Sequence, residues 1–166
     1  MPIYKPKFDT SLARACWELA ETWQTSKNST PPIFQIIEFE RFFPSQKEEF
    51  FGTLLNGTPL GHSKINAMNY LYEMDSYSNV EIVVQWIRLC IKERWEPIVD
   101  KALKLVTDQG RLKYIMPLYR DLYGWEEKRQ QAIDTFLANR EKMMYVSSSF
   151  VSRILLKDSP STKKKK

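Results

Sequence analysis

The sequence is poor in the residues that most often perform chemistry. Its 166 residues hold one histidine, His62, and two cysteines, Cys16 and Cys90. One histidine cannot supply a two-histidine zinc site, and two cysteines cannot supply a four-cysteine one, so a self-contained zinc hydrolase is excluded by counting. The glycines are only five, and Gly52, Gly57, Gly61, Gly110 and Gly124 stand apart. There is accordingly no phosphate-cradling loop, no G-x-G-x-x-G and no G-x-S-x-G elbow. No apolar run approaches the roughly 18 to 20 residues that span a bilayer. The stretch Met1-Pro2-Ile3-Tyr4-Lys5-Pro6-Lys7 has no apolar signal core, so the expectation is a cytoplasmic chain without a membrane partner. Cys16 and Cys90 fall on apolar helix positions and are expected to be reduced, buried thiols rather than a disulfide.

Positive charge is also scarcer than the total suggests. The formal charge is +5, and Lys163 to Lys166 carry four of those five charges. A nucleic-acid binder places a basic stripe within its fold. Here the excess sits beyond Asp158-Ser159-Pro160-Ser161-Thr162, so residues 158–166 read as a disordered basic tail and no nucleic-acid partner is expected. If the tail did bind nucleic acid, the affinity would be strongly salt-dependent and would vanish when residues 163–166 were deleted.

What the chain does have is 43% hydrophobic and 13% aromatic content, enough to offset the ordering entropy of a folded core. Almost every apolar pattern has a period near 3.6. Leu12, Ala15, Cys16, Leu19, Ala20 and Trp23 follow Asp9 or Thr10, either of which can cap a helix. Lys27 to Pro32 breaks the pattern. Strand and helix compete over residues 33–43, which are assigned a loop and a short helix. Ser45-Gln46-Lys47-Glu48 reads as a capping box, with Phe50, Phe51, Leu54 and Leu55 behind it and Gly57 as the stop.

A further helix is expected from about Leu60 to Met74, with Ile65, Met68, Leu71 and Tyr72 inward. Asn79 caps the next, whose face is Val83, Trp86, Ile87, Cys90 and Ile91. Pro97 suits a first helical position, and Ile98, Ala102, Leu105 and Val106 lead to a stop at Gly110. Pro117 is expected to start a short helix ending near Gly124. Glu126 to Met143 forms another, and Phe150, Val151, Ile154 and Leu155 line the last. The five tryptophans read as core or inter-helix packing. The fold class is therefore all-α: a layered α-superhelix, an armadillo- or HEAT-like solenoid of about eight to nine antiparallel helices over residues 9–157, preceded by a linker over residues 1–8.

A search for catalytic groups is mostly negative. A Cys–His nucleophile would need Cys16 or Cys90 beside His62, and two core thiols with a histidine near a helix start is the simpler reading. The pairs Glu48-Glu49 and Glu126-Glu127 are read as first-turn acids that complement the helix dipole. One segment stands out, Thr107-Asp108-Gln109-Gly110-Arg111-Leu112-Lys113-Tyr114-Ile115-Met116-Pro117-Leu118-Tyr119. Alternate residues of an extended segment point the same way, so Arg111 and Lys113 could converge on one anion, arginine offering a planar fork and lysine a point charge. Two cations following a helix C-terminus also serve simply to complement its dipole. On the residues alone both readings stand.

The segment Gln109-Gly110-Arg111-Leu112-Lys113-Tyr114, with Pro117-Leu118-Tyr119-Arg120-Asp121-Leu122 after it, resembles the carboxy-terminal domain of leukotriene-A(4) hydrolase and its aminopeptidase B relatives. So do Thr58-Pro59-Leu60-Gly61-His62, Trp86-Ile87-Arg88-Leu89-Cys90-Ile91, and Pro6-Lys7-Phe8-Asp9 leading to Ala15-Cys16-Trp17-Glu18-Leu19-Ala20 and Trp23. The similarity is collinear over about residues 3–157. Two features depart from it, the Ile- and Phe-rich residues 28–44 and the four-lysine tail.

The resemblance implies a layered helical domain of a bifunctional zinc aminopeptidase and epoxide hydrolase. It implies that the zinc ligands and general-base glutamate lie in another domain, so this chain needs no cofactor of its own and zinc belongs to the absent catalytic domain. It places the family's anion-anchoring arginine on Arg111 and its companion lysine on Lys113, with the carboxylate of a peptide or a fatty-acid epoxide as the partner they hold. Relatives of aminopeptidase B type tend to carry lysine at the first position, so Arg111 leans towards the leukotriene hydrolase branch. The partner domain would be a zinc peptidase domain in cis or in trans, and the isolated chain is expected to be inactive. The alternative is a freestanding α-solenoid that binds protein partners without chemistry.

Overall fold

A computed structural model describes residues 11–27 and 33–156, with the side chains of residues 33–36 left aside. The linker over 1–8, the caps Asp9 and Thr10, and the tail over 158–166 lie outside the described residues. Among those described, nine α-helices and no strand are present, in keeping with the all-α expectation. The chain divides into two compact units between Gln85 and Trp86.

The first unit holds α1 (Ser11–Thr25), α2 (Ile33–Arg41), α3 (Pro44–Asn56) and α4 (His62–Leu71). A 3₁₀ turn over Met74–Ser76 leads into α5 (Val80–Lys92), which runs through the division. Helix α1 packs on α3 and buries Cys16, Leu19, Ala20 and Trp23, the i, i+3, i+4, i+7 stripe of an amphipathic helix. Residues 33–41 resolve as helix, and the reason lies in Phe39. Its fully buried ring stacks on Tyr72 at 3.9 Å and meets Phe50 and Phe51 edge-on at 5.3 and 5.8 Å. Tyr72 accepts a 2.7 Å hydrogen bond from the indole N–H of Trp23, which closes this aromatic core.

Two glycines in this unit answer to geometry. Gly61, directly before α4, sits at φ +81°, a region open to glycine and strained for other residues. Gly57 ends α3 in extended backbone, and a Cβ there would lie 1.7 Å from Nε2 of Gln24. Gly57 is a stop by close approach rather than by a left-handed cap.

The second unit continues α5 and adds α6 (Val99–Asp108), α7 (Leu112–Gly124), α8 (Glu126–Asn139) and α9 (Tyr145–Leu155), with 3₁₀ turns over Glu96–Ile98 and Arg140–Lys142. Helix α7 is its centre, packing against α6, α8 and α9. It buries Tyr114, Ile115, Leu118, Tyr119 and Leu122. The ring of Tyr119 meets that of Phe136 edge-on at 6.0 Å. Arg94, at φ 56°, donates a 3.0 Å hydrogen bond to the Gly124 carbonyl and lies over the Trp125 ring.

The sequence reading missed several boundaries. Helix α3 starts at Pro44, not within Ser45–Glu48, because proline's fixed φ suits a first helical position. Only the return half of a capping box forms, with the Phe43 N–H donating to Gln46 Oε1 at 3.1 Å. Glu48 and Glu49 thereby fall beyond the first turn, where Glu49 accepts from the Trp17 indole at 2.7 Å. Leu12 is 62% exposed and Phe150 44%, so neither is core; Phe150 lies under the Arg153 guanidinium instead. Trp17 is also partly exposed, whereas Trp23, Trp86 and Trp125 are buried as expected.

The largest correction concerns Pro117. It lies inside α7 rather than at its start. Lys113 is therefore the second residue of a helix, and the premise that Arg111 and Lys113 alternate along an extended strand does not hold.

Candidate functional site

The site is built where α6 gives way to α7. Helix α6 ends at Asp108, Gln109 is extended at φ −99° and ψ 129°, and Arg111 is the N-cap of α7, extended at φ −79° and ψ 117°. The turn is tied from two sides. Ser147 Oγ of α9 donates to the Gly110 carbonyl at 3.2 Å, and Asn139 Nδ2 of α8 donates to the Thr107 carbonyl at 3.5 Å.

Arg111 and Lys113 are both exposed, and both approach Tyr114, which is only 6% exposed. Arg111 Nη1 donates to the Tyr114 hydroxyl at 3.2 Å, and its guanidinium carbon is 5.3 Å from the ring centroid. Lys113 Nζ is 5.6 Å from the same centroid. Both cations thus lie near one aromatic ring on a helical turn rather than along an extended segment. Sequence reasoning singled out the two cations and missed the ring. The spacing that could have found it is the i, i+3 relation of Arg111 and Tyr114 at a helix start.

The electrostatics favour an anion. A helix N-terminus carries about half a positive charge from its N–H groups. Two cations placed there add to the positive character of that end, a setting that an anion complements. Among the described residues no carboxylate forms a salt bridge with Arg111. Where carboxylates do pair nearby they serve the scaffold: Arg88 Nε meets Asp121 Oδ2 at 2.8 Å, joining α5 to α7, and Lys104 meets Asp108 at 2.6 Å along α6.

Among the described residues no three His, Cys, Asp or Glu side chains are placed to hold an ion. His62 is exposed at the start of α4, whereas Cys16 and Cys90 are fully buried and form no disulfide. Burial raises the Cys16 thiol above its ordinary pKa, with Glu49 adding to the effect, so it is not an activated nucleophile.

A family model described as Leukotriene A4 hydrolase, C-terminal, matches residues 42–155. The chain belongs to that family. It is 37% identical over 155 residues to leukotriene A-4 hydrolase of Xenopus laevis, a match covering 93% of this chain and 26% of that protein. It is also 31% identical over 133 residues to leucine aminopeptidase 2 of Aspergillus niger, covering 80% of the chain and 21% of the relative. The chain thus spans about a quarter of the length of these relatives. A solved structure of yeast LTA4 hydrolase in complex with bestatin matches with a TM-score of 0.78 at 23% identity, over 93% of this chain and 27% of that one. That likeness shows the fold alone, the helical C-terminal domain of this family. Within the family domain, the motif residues Arg88 and Asp121 are revealed as each other's partners. Leu118 and Tyr119 are core. Among the described residues no helix is long and apolar enough to cross a membrane.

Proposed function

We propose that this chain is the carboxy-terminal helical domain of a bifunctional zinc aminopeptidase and epoxide hydrolase, and that it holds the substrate's carboxylate through Arg111 and Lys113. Family membership supports the setting, and the observation that carries the residue roles is the gathering of both cations around Tyr114 at the start of α7. Residues 9–157 act as the functional domain, flanked by a linker over 1–8 and a basic tail over 158–166. Catalysis belongs to a zinc peptidase domain, in cis or in trans, and this chain alone turns over no substrate. The working compartment is the cytoplasm.

The contribution of the domain is orientation. A peptide or a fatty-acid epoxide carries its carboxylate at the end remote from the reacting bond. The Arg111 fork grips that carboxylate with paired N–H donors, and Lys113 adds a second charge beside it. Fixing the far end lowers the entropy that must be lost before reaction, so remote binding energy is used at the reacting centre.

A charge-assisted hydrogen bond contributes about 1.5–3 kcal/mol, so Arg111→Ala in the intact enzyme is expected to lower kcat/KM for both reactions by about ten- to a hundredfold. Retention of wild-type kcat/KM with folding unchanged would refute the anchoring role.

A further inference from the structure

The geometry points to Tyr114 as a positioning residue that holds the Arg111 guanidinium ready for an anion, an inference that rests on the anchoring role proposed above. Arg111 is the exposed N-cap of α7, and its long side chain has several rotatable bonds. Such a side chain loses much rotamer freedom when it closes on a ligand. Tyr114 is part of the buried face of α7 and cannot follow those motions. Its hydroxyl takes one of the five guanidinium N–H donors at 3.2 Å, and its ring lies 5.3 Å from the guanidinium carbon. One edge of the guanidinium is thereby fixed while four donors remain for a carboxylate.

Lys113 approaches the same ring at 5.6 Å, so one buried side chain gathers both charges. A phenylalanine would fill the same core volume. The ring contact with Arg111 survives in phenylalanine and the hydrogen bond does not, which makes Tyr114→Phe the informative change.

The test uses the full 166-residue chain, labelled for arginine side-chain NMR, with the Arg111 signal assigned by its loss in Arg111→Ala. In the free protein, Tyr114→Phe is expected to speed rotation about the Arg111 Nε–Cζ bond. Titration with N-acetyl-L-alanine, and with its carboxamide as the uncharged control, then reads the anion site. The wild-type chain is expected to bind the carboxylate in preference to the amide, Arg111→Ala to abolish that preference, and Tyr114→Phe to weaken carboxylate binding roughly three- to tenfold at unchanged thermal stability. Unchanged rotation and unchanged affinity in Tyr114→Phe, with Arg111→Ala still abolishing binding, would overturn the positioning role and leave the anchoring role standing. No carboxylate preference in the wild-type chain would overturn both. A Tyr114→Phe chain that loses thermal stability and binding in proportion, with Arg111 rotation unchanged, would reduce Tyr114 to a packing residue.

Discussion

Replacing Phe39 with leucine separates ring geometry from apolar area as the force that holds the first unit. Leucine remains apolar and fits the same pocket, so most of the burial survives. What is lost is the stack on Tyr72 at 3.9 Å and 18°, and the edge contacts with Phe50 and Phe51 at 5.3 and 5.8 Å. Aromatic pairs of this kind are worth about 0.5–1.5 kcal/mol each beyond burial. Lys47 Nζ also sits 5.0 Å from the Phe39 centroid, a contact worth about 0.5–1 kcal/mol where the ammonium is partly solvated. A change of shape at near-constant volume adds up to about 1.5 kcal/mol.

The expected cost is therefore about 2–7 kcal/mol, a large share of the roughly 5–15 kcal/mol that keeps a domain folded. Urea unfolding followed by tryptophan fluorescence reads it, because Trp23 is hydrogen-bonded to Tyr72, which carries the Phe39 ring. With a slope of about 2 kcal/mol per molar urea, the midpoint should fall by about 1–3.5 M at unchanged slope. Phe136→Leu in the second unit, where one edge contact with Tyr119 is lost, should cost less. A loss below about 1 kcal/mol for Phe39→Leu, or one no larger than for Phe136→Leu, would refute the argument from ring geometry.

Tyr119→Phe should leave stability at neutral pH unchanged or raise it by about 1 kcal/mol, since the buried Tyr119 hydroxyl meets no hydrogen-bond partner among the described residues. Burial also pushes that phenol up from 10.0 to about 12. The folded state therefore holds its proton where the unfolded chain releases it. Tyr119 thus contributes stability that is complete below pH 10 and is lost between pH 10 and 12, by up to about 1.4 kcal/mol per pH unit. Burial raises Tyr72 as well, so the difference between wild-type and Tyr119→Phe alkaline unfolding curves isolates the Tyr119 slope, and coincident curves would disprove it. Asn79→Ala removes the side-chain oxygen that accepts the Glu81 N–H at 3.0 Å and should destabilise by about 1 kcal/mol in a denaturant titration. Asp121→Asn and Arg88→Met, taken as a double-mutant cycle, should show a coupling of about 1 kcal/mol for this half-exposed pair; additive losses would make the ion pair incidental.

Local signals were legible wherever one short-range cause dominates. Asn79 does cap α5, and every face residue named for that helix is buried, because a helix this apolar has one way to satisfy its pattern. The stripe from Cys16 to Trp23 is legible for the same reason. Residues 33–41 were not, because their helicity depends on Tyr72, Phe50 and Phe51, all remote in sequence. Leu12, in the first turn of α1, and Phe150, in the middle of α9, obey the period yet are only partly covered by neighbours. At the candidate site, Arg111 and Lys113 were found by charge, while Tyr114 was hidden. Reading Pro117 as a helix start left Tyr114 in a loop, where its spacing to Arg111 carries no meaning.

The place of Pro117 has a further consequence for α7. Proline has no N–H, so the carbonyl of Lys113 receives no bond from the residue four positions on. The hydrogen-bond ladder is thinned just after the turn that bears Arg111 and Lys113, whereas Leu118, Tyr119 and Leu122 lock the remainder into the core. Where the ladder lacks that bond, the opening turn is held by side chains instead, through the buried Tyr114 and Ile115.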